Sequence, residues 1–251
     1  MTRFPAAASA LAALALVPFA CGGDDDPRLT VAAASSLQKA LTSCSADFPN
    51  ASVRLTFAGS DELAAQIRQG TRFDVYAAAN EKLPNQLREE GRLEDTVPFA
   101  TNELVLAVAS GSGKVRSLED LEAPGVKLAV GSESVPVGSY TQQVLARLPS
   151  PQRSRILRNV RSREPDVKGV VGKLTQRAVD AGFVYATDVD ATDGKLEAIK
   201  LPQRLQPTVA YGAGVVEASS RPALARRFLG DVLGGACARA LRQAGFGPPP
   251  R

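Results

Sequence analysis

A chain of 251 residues with 44% hydrophobic and 22% charged residues can bury a core of ordinary size, as one large domain or as two lobes of roughly 100 residues each. Its formal charge of +4 is too small and too scattered to mark a nucleic-acid binder. It holds no histidine, which excludes Ser-His-Asp and Cys-His nucleophiles and removes the commonest transition-metal ligand, and its three cysteines lack the close spacing of a zinc site.

Arg3, the apolar run 6–19 and Ala20 read as a secretory signal over 1–20, too short and wrongly flanked for a permanent membrane span. Cys21, two glycines and the acidic run 24–26 follow, making residues 21–28 a polar, flexible tether. The segment resembles a bacterial lipoprotein signal. That resemblance implies lipidation of Cys21 and an exported chain anchored at the outer face of the cell membrane; the alternative is an ordinary cleaved signal with a spare Cys21.

From residue 29 onward short apolar runs alternate with amphipathic stretches, the pattern of an α/β fold with a largely parallel sheet. Strands are expected over 29–34, 53–58, 74–79, 103–109, 127–131, 182–186, 197–201 and 208–216. Helices are expected over 36–46, 60–69, 82–90, 139–147, 165–181, 221–233 and 236–244. Arg153, Arg155, Arg158, Arg161 and Arg163 are interleaved with polar residues and lack a stacking aromatic, so they read as a solvated face. No long linker separates two halves, and a two-lobed chain must therefore cross within extended runs, for which 101–110 and 207–216 fit. One lobe then comprises 29–105 and 211–251 and the other 106–210, with a ligand cleft between them. Both chain ends share a lobe in this arrangement, and in an exported protein Cys44 and Cys237 are expected to form a disulfide, the alternative being two buried free thiols.

Ala32-Ala33-Ala34-Ser35-Ser36-Leu37 runs from the first strand into a helix, and Phe57-Ala58-Gly59-Ser60-Asp61-Glu62-Leu63 repeats that grammar. Taken alone, each serine is a helix cap; equally, the free amides and dipole of the first helical turn make an anion site. Val135-Pro136-Val137-Gly138-Ser139-Tyr140 and Glu164-Pro165-Asp166-Val167-Lys168-Gly169 also present amides at helix starts. Tyr185 closes a strand, where an aromatic is commonly a half-buried packing residue.

In chain order these segments, with Leu63-Ala64-Ala65-Gln66-Ile67, Asp74-Val75-Tyr76-Ala77-Ala78-Ala79, Leu128-Ala129-Val130-Gly131 and Gly182-Phe183-Val184-Tyr185, resemble the molybdate-binding proteins of ABC transporters over nearly the whole mature chain. The resemblance implies the type II periplasmic-binding-protein fold and binding rather than catalysis. It implies no cofactor: the ligand is molybdate or tungstate, the metal is held only as its oxyanion, and a monomer hands it to an ABC transporter permease. Carried over position by position, the ligand contacts are the hydroxyls and amides of Ser36 and Ser60, the amides of Val137 and Val167, and the Tyr185 hydroxyl. The family often has alanine where Val137 stands, a change that an amide contact tolerates. A fully ionised oxyanion offers no proton, so N–H and O–H donors suit it and a carboxylate repels it. Lys168 is expected to point to solvent.

Three alternatives stand beside this reading. The same fold could hold sulfate, thiosulfate or an organic anion. An enzyme could use Ser36 or Ser60 as nucleophile with Lys39, Lys82 or Lys168 as base, although no serine lies in a nucleophile-elbow pattern. An adhesion or scaffolding lipoprotein would bind no small molecule.

Overall fold

The computed structural model describes residues 27–46, 48–49 and 51–250. The expected signal over 1–20 and Cys21 lie outside the described residues. Among the described residues ten strands form two five-stranded sheets. β1 (Arg28–Ala34), β2 (Ser52–Ala58), β3 (Val75–Ala78) and β4 (Leu93–Asn102) belong to the first. β5 (Leu104–Ala109), β6 (Leu128–Gly131), β7 (Val160–Glu164), β8 (Ala181–Tyr185) and β9 (Leu196–Lys200) make the second, and β10 (Val209–Val216) returns to the first. The orders are β2-β1-β3-β10-β4 and β7-β6-β8-β5-β9.

The sheets are mixed rather than largely parallel. β1 runs parallel to β2 and β3, and β6 to β7 and β8, but β10 is antiparallel to both its neighbours and so is β5. These two strands carry the chain between sheets, and every residue in both is buried, which explains their unbroken apolar sequences. Only Glu103 separates β4 from β5, and residues 201–208 lead back from β9 to β10. Leu104 and Val105, expected in the first lobe, pair with Tyr185 and Lys200 in the second sheet; Val209 and Ala210, expected in the second lobe, pair with Asn102 and Thr101 in the first. The expected seams fall inside the apolar runs 104–109 and 209–216, whereas the chain crosses just ahead of each run, at the mainly polar residues 101–103 and 202–208.

Nine α-helices cover the sheets: α1 (Gln38–Ser45), α2 (Ser60–Arg68), α3 (Lys82–Glu89), α4 (Pro136–Ala146), α5 (Ser150–Arg158), α6 (Val167–Thr175), α7 (Ala186–Asp190), α8 (Pro222–Gly234) and α9 (Ala236–Gln243), among the described residues. In α8 the buried Ala225, Phe228, Leu229 and Val232 recur at helical spacing, a single apolar stripe turned to the core. A disulfide joins Cys44 of α1 to Cys237 of α9, with 5.0 Å between their Cα atoms.

Four elements are absent from the sequence reading. β4 holds Glu94, Asp95 and Pro98, which suit only an edge; it is an edge strand, and its pairing with β10 shifts register beside Pro98. α5 buries Ile156 alone and β7 is an edge of the second sheet, so this arginine-rich stretch carries little apolar signal. Arg155, Arg158, Arg161 and Arg163 are exposed there, as a solvated face requires. α7 is five residues long. The helix expected over 165–181 stops at Thr175, because Arg177 takes a left-handed φ of 56° and the chain turns back through Ala178 N–H to Lys173 O to enter β8.

Candidate functional site

The register of β1 on β2 sets Ala34 beside Ala58, so both strands end together and release their loops side by side. In the second sheet β6 and β7 do the same, with Gly131 opposite Glu164. Each of these four strands feeds a helical start, and β8 adds Tyr185 at its last position. The ends converge on one cleft between the sheets, at the carboxyl ends of parallel strands where α/β folds commonly bind ligands. Ser36, Ser60, Val137, Val167 and Tyr185 all line it, together with Ala34, Ser35, Gly59, Pro136 and Asp166. The space within it is about 10 Å³, on the scale of one water-sized sphere, which excludes a drug-sized molecule.

Neither serine caps a helix. Residues 35–37 form a 3-10 turn ahead of α1, Ala34 and Gly59 occupy the cap positions, and no side-chain cap bond forms at either start. The Ser60 hydroxyl oxygen instead accepts from Ala79 N–H at 3.1 Å, leaving its hydrogen for the cleft. The Ser60 carbonyl accepts from Tyr76 at 2.6 Å, which fixes this loop on β3. The Ser36 hydroxyl meets the Tyr211 hydroxyl at 3.0 Å.

α4 begins three residues earlier than expected, with Pro136 in its first turn and Gly138 packed against Gly131 and Ser132. A Cβ on Gly138 would overlap the Ser132 carbonyl oxygen at 1.8 Å. Val137 therefore sits in the first turn, where amides have no intrahelical acceptor, and so does Val167 at the start of α6. Asp166 caps α6, its carboxylate accepting from Gly169 N–H at 2.8 Å.

Tyr185 is 1% exposed, and its hydroxyl has no hydrogen-bond partner among the described residues. Burial above all, with Tyr211, Tyr140 and Asp188 nearby, holds its pKa well above the phenol range. It remains a protonated donor. Leaving such a hydroxyl buried and unpaired costs about 1 to 3 kcal/mol, which a bound acceptor would recover.

Lys168 does not point freely to solvent. Its ammonium lies 3.2 Å from Asp188 Oδ1, and the Asp188 side chain is wholly buried. Burial raises the Asp188 pKa while Lys168 opposes the rise, and a buried carboxylate of this kind requires such a counter-charge. Asp61, half-buried on α2, does not line the cleft.

Residues 29–247 match the family described as bacterial extracellular solute-binding protein. The chain belongs to that family. Among the relatives of this solute-binding protein is the molybdate-binding protein ModA of Mycobacterium tuberculosis, 35% identical over 227 residues, covering 88% of this chain and 85% of the relative. The solved periplasmic molybdate-binding protein of Azotobacter vinelandii superposes with a TM-score of 0.79 at 22% identity, covering 88% of this chain and all of that one. The sulfate-binding protein SubI of Mycobacterium tuberculosis gives 0.76 at 17% identity, covering 88% and 87%. These two likenesses show the fold, the two-lobed α/β architecture of periplasmic binding proteins.

The relatives are binding proteins, not enzymes. The serine chemistry agrees, since Ser36 and Ser60 face Tyr211 and a backbone amide, Lys168 is engaged by Asp188, and neither Lys39 nor Lys82 lines the cleft. Sequence reasoning missed Gly59, Asn102 and Tyr211. Gly59 stood in a quoted motif without a role, and Tyr211 is hidden inside an apolar crossing strand.

Proposed function

We propose that this solute-binding protein captures molybdate in the cleft and delivers it to the permease of an ABC transporter. The observation that carries the reading is the gathering of neutral donors in one small cleft: the hydroxyls of Ser36, Ser60 and Tyr185 and the first-turn amides of Val137 and Val167, with Asp166 beside them turning its Oδ1 to Gly169 N–H of its own helix. A dianion is stabilised there by dipoles and hydrogen bonds, and no buried cation is needed. Relatives named as molybdate-binding proteins support the choice of ion. Tungstate, with the same charge and shape, binds in the same way. The molybdenum is cargo held through its oxygens.

The protein works as a monomer at the outer face of the membrane, tethered through a lipid on Cys21. Sulfate is the second reading, favoured by the likeness to SubI, because fold alone does not choose a ligand. Calorimetric titration of the purified protein with molybdate and then tungstate tests the function: saturable one-to-one binding of both is expected, and no heat with either removes the proposal. For the anchor, Cys21→Ser is expected to release the protein from membranes, and unchanged membrane association would remove that part.

A further inference from the structure

Asn102, the last residue of β4, lies where the chain crosses between sheets, and Tyr211 lies beside it on β10. The Asn102 Oδ1 accepts from Glu103 N–H at 2.9 Å, and because a backbone amide can only donate, this bond fixes which end of the side-chain amide is oxygen. Its Nδ2 therefore faces the other way, donating to Thr187 Oγ1 at 2.9 Å and reaching the Tyr211 hydroxyl at 3.4 Å. Tyr211 thus receives a hydrogen from Asn102 and has one of its own to place. Its hydrogen-bond partners among the described residues are Asn102 and Ser36, and Asn102 offers it no acceptor, so that hydrogen goes to Ser36 Oγ.

We propose, on the reading that Ser36 contacts the oxyanion, that Asn102 and Tyr211 are positioning residues whose one-way hydrogen-bond chain, Asn102 to Tyr211 to Ser36, commits the Ser36 hydroxyl to donate into the cleft. A serine hydroxyl left alone rotates and presents lone pair or hydrogen alike. With one lone pair held by Tyr211, the Ser36 hydrogen points away from Tyr211. The Ala79 amide does the same for Ser60, so both serines meet the anion as donors. Tyr211 is fully buried and braced edge-on by Phe99, Tyr185 and Phe246, with ring centres 5.9, 5.9 and 5.3 Å away, which holds its hydroxyl in place. The Thr187 bond extends the chain to the helix that follows Tyr185, so the relay engages both lobes.

A double-mutant cycle tests this with sodium molybdate as probe. Ser36→Ala and Tyr211→Phe are each expected to weaken binding by about tenfold or more, as a lost hydrogen bond to a charged group does. Because Tyr211 acts through Ser36, the double variant is expected to lie within about threefold of Ser36→Ala alone. Losses that multiply, or a Tyr211→Phe variant that binds like the parent, would overturn the relay while leaving the molybdate reading in place. A parent that binds no molybdate would overturn both. If a thermal melt shows Tyr211→Phe unfolded, Asn102→Ala takes its place in the cycle under the same criterion.

Discussion

Gly59, at the end of β2, and Pro165, ahead of α6, meet across the cleft so closely that a Cβ on Gly59 would stand 2.5 Å from the Pro165 carbonyl oxygen. Real side chains do not pack at that distance against backbone, so the contact reserves this position for glycine. Gly59→Ala must hold the two loops apart. Because each loop presents donors from a different sheet, the variant is expected to lose about tenfold or more in molybdate affinity, the loss of at least one hydrogen bond to a charged ion. Titration of the variant checks this, and parental affinity would show that the loops yield without opening the site.

Tyr185→Phe separates the cost of the empty cleft from the gain of the filled one. The ring and its packing against Tyr140 and Tyr211 are kept, while the unpartnered hydroxyl is removed. Without ligand the variant is expected to melt at the parental temperature or higher. With molybdate it is expected to bind about 10- to 150-fold more weakly, so the ligand-induced rise in melting temperature shrinks. A variant that loses stability without ligand and keeps its affinity would make Tyr185 a packing residue.

All four tyrosines titrate above their ordinary value. Burial is the leading cause each time: Tyr140 is pushed up to about 12, and Tyr76, Tyr185 and Tyr211 are raised well above the phenol range. A phenol whose folded pKa exceeds its unfolded value near 10 contributes stability that is full below about pH 10 and is lost as pH rises through the folded pKa. Absorbance near 295 nm is therefore expected to show almost no phenolate at pH 10 in the folded protein, followed by joint ionisation as alkali unfolds it. Half-ionised tyrosines at pH 10 with the fold intact would contradict this burial.

The cleft was legible in the sequence because its parts are local. Ser36, Ser60, Val137 and Val167 each stand where an apolar strand gives way to a helix, and that junction is written in a few consecutive residues. What escaped is long-range or polar. Nothing near Gly59 announces Pro165, more than a hundred positions away, and nothing near Ser36 announces Tyr211. β4 and β7 are edges whose charged residues mask their strand periodicity. Lys168 looks solvent-facing in the sequence because Asp188, its buried partner, is brought to it only by α6 packing on α7.

Competition titration at fixed ionic strength decides which ion the cleft selects. Sulfate has the charge and shape of molybdate but shorter bonds to oxygen, so on the proposed assignment donors that close on molybdate from both sheets are not all within its reach. Two donors left unpaired at about 1 to 3 kcal/mol each lower affinity by roughly a thousandfold. Phosphate is partly protonated near neutral pH, and its proton finds no acceptor among the proposed contacts; Asp166 Oδ1 accepts from Gly169 N–H, and tight phosphate binding would show the other carboxylate oxygen turned into the cleft. Molybdate and tungstate are therefore expected to displace each other at comparable concentrations, with sulfate and phosphate failing at a thousandfold excess; sulfate displacing molybdate mole for mole would contradict the assignment.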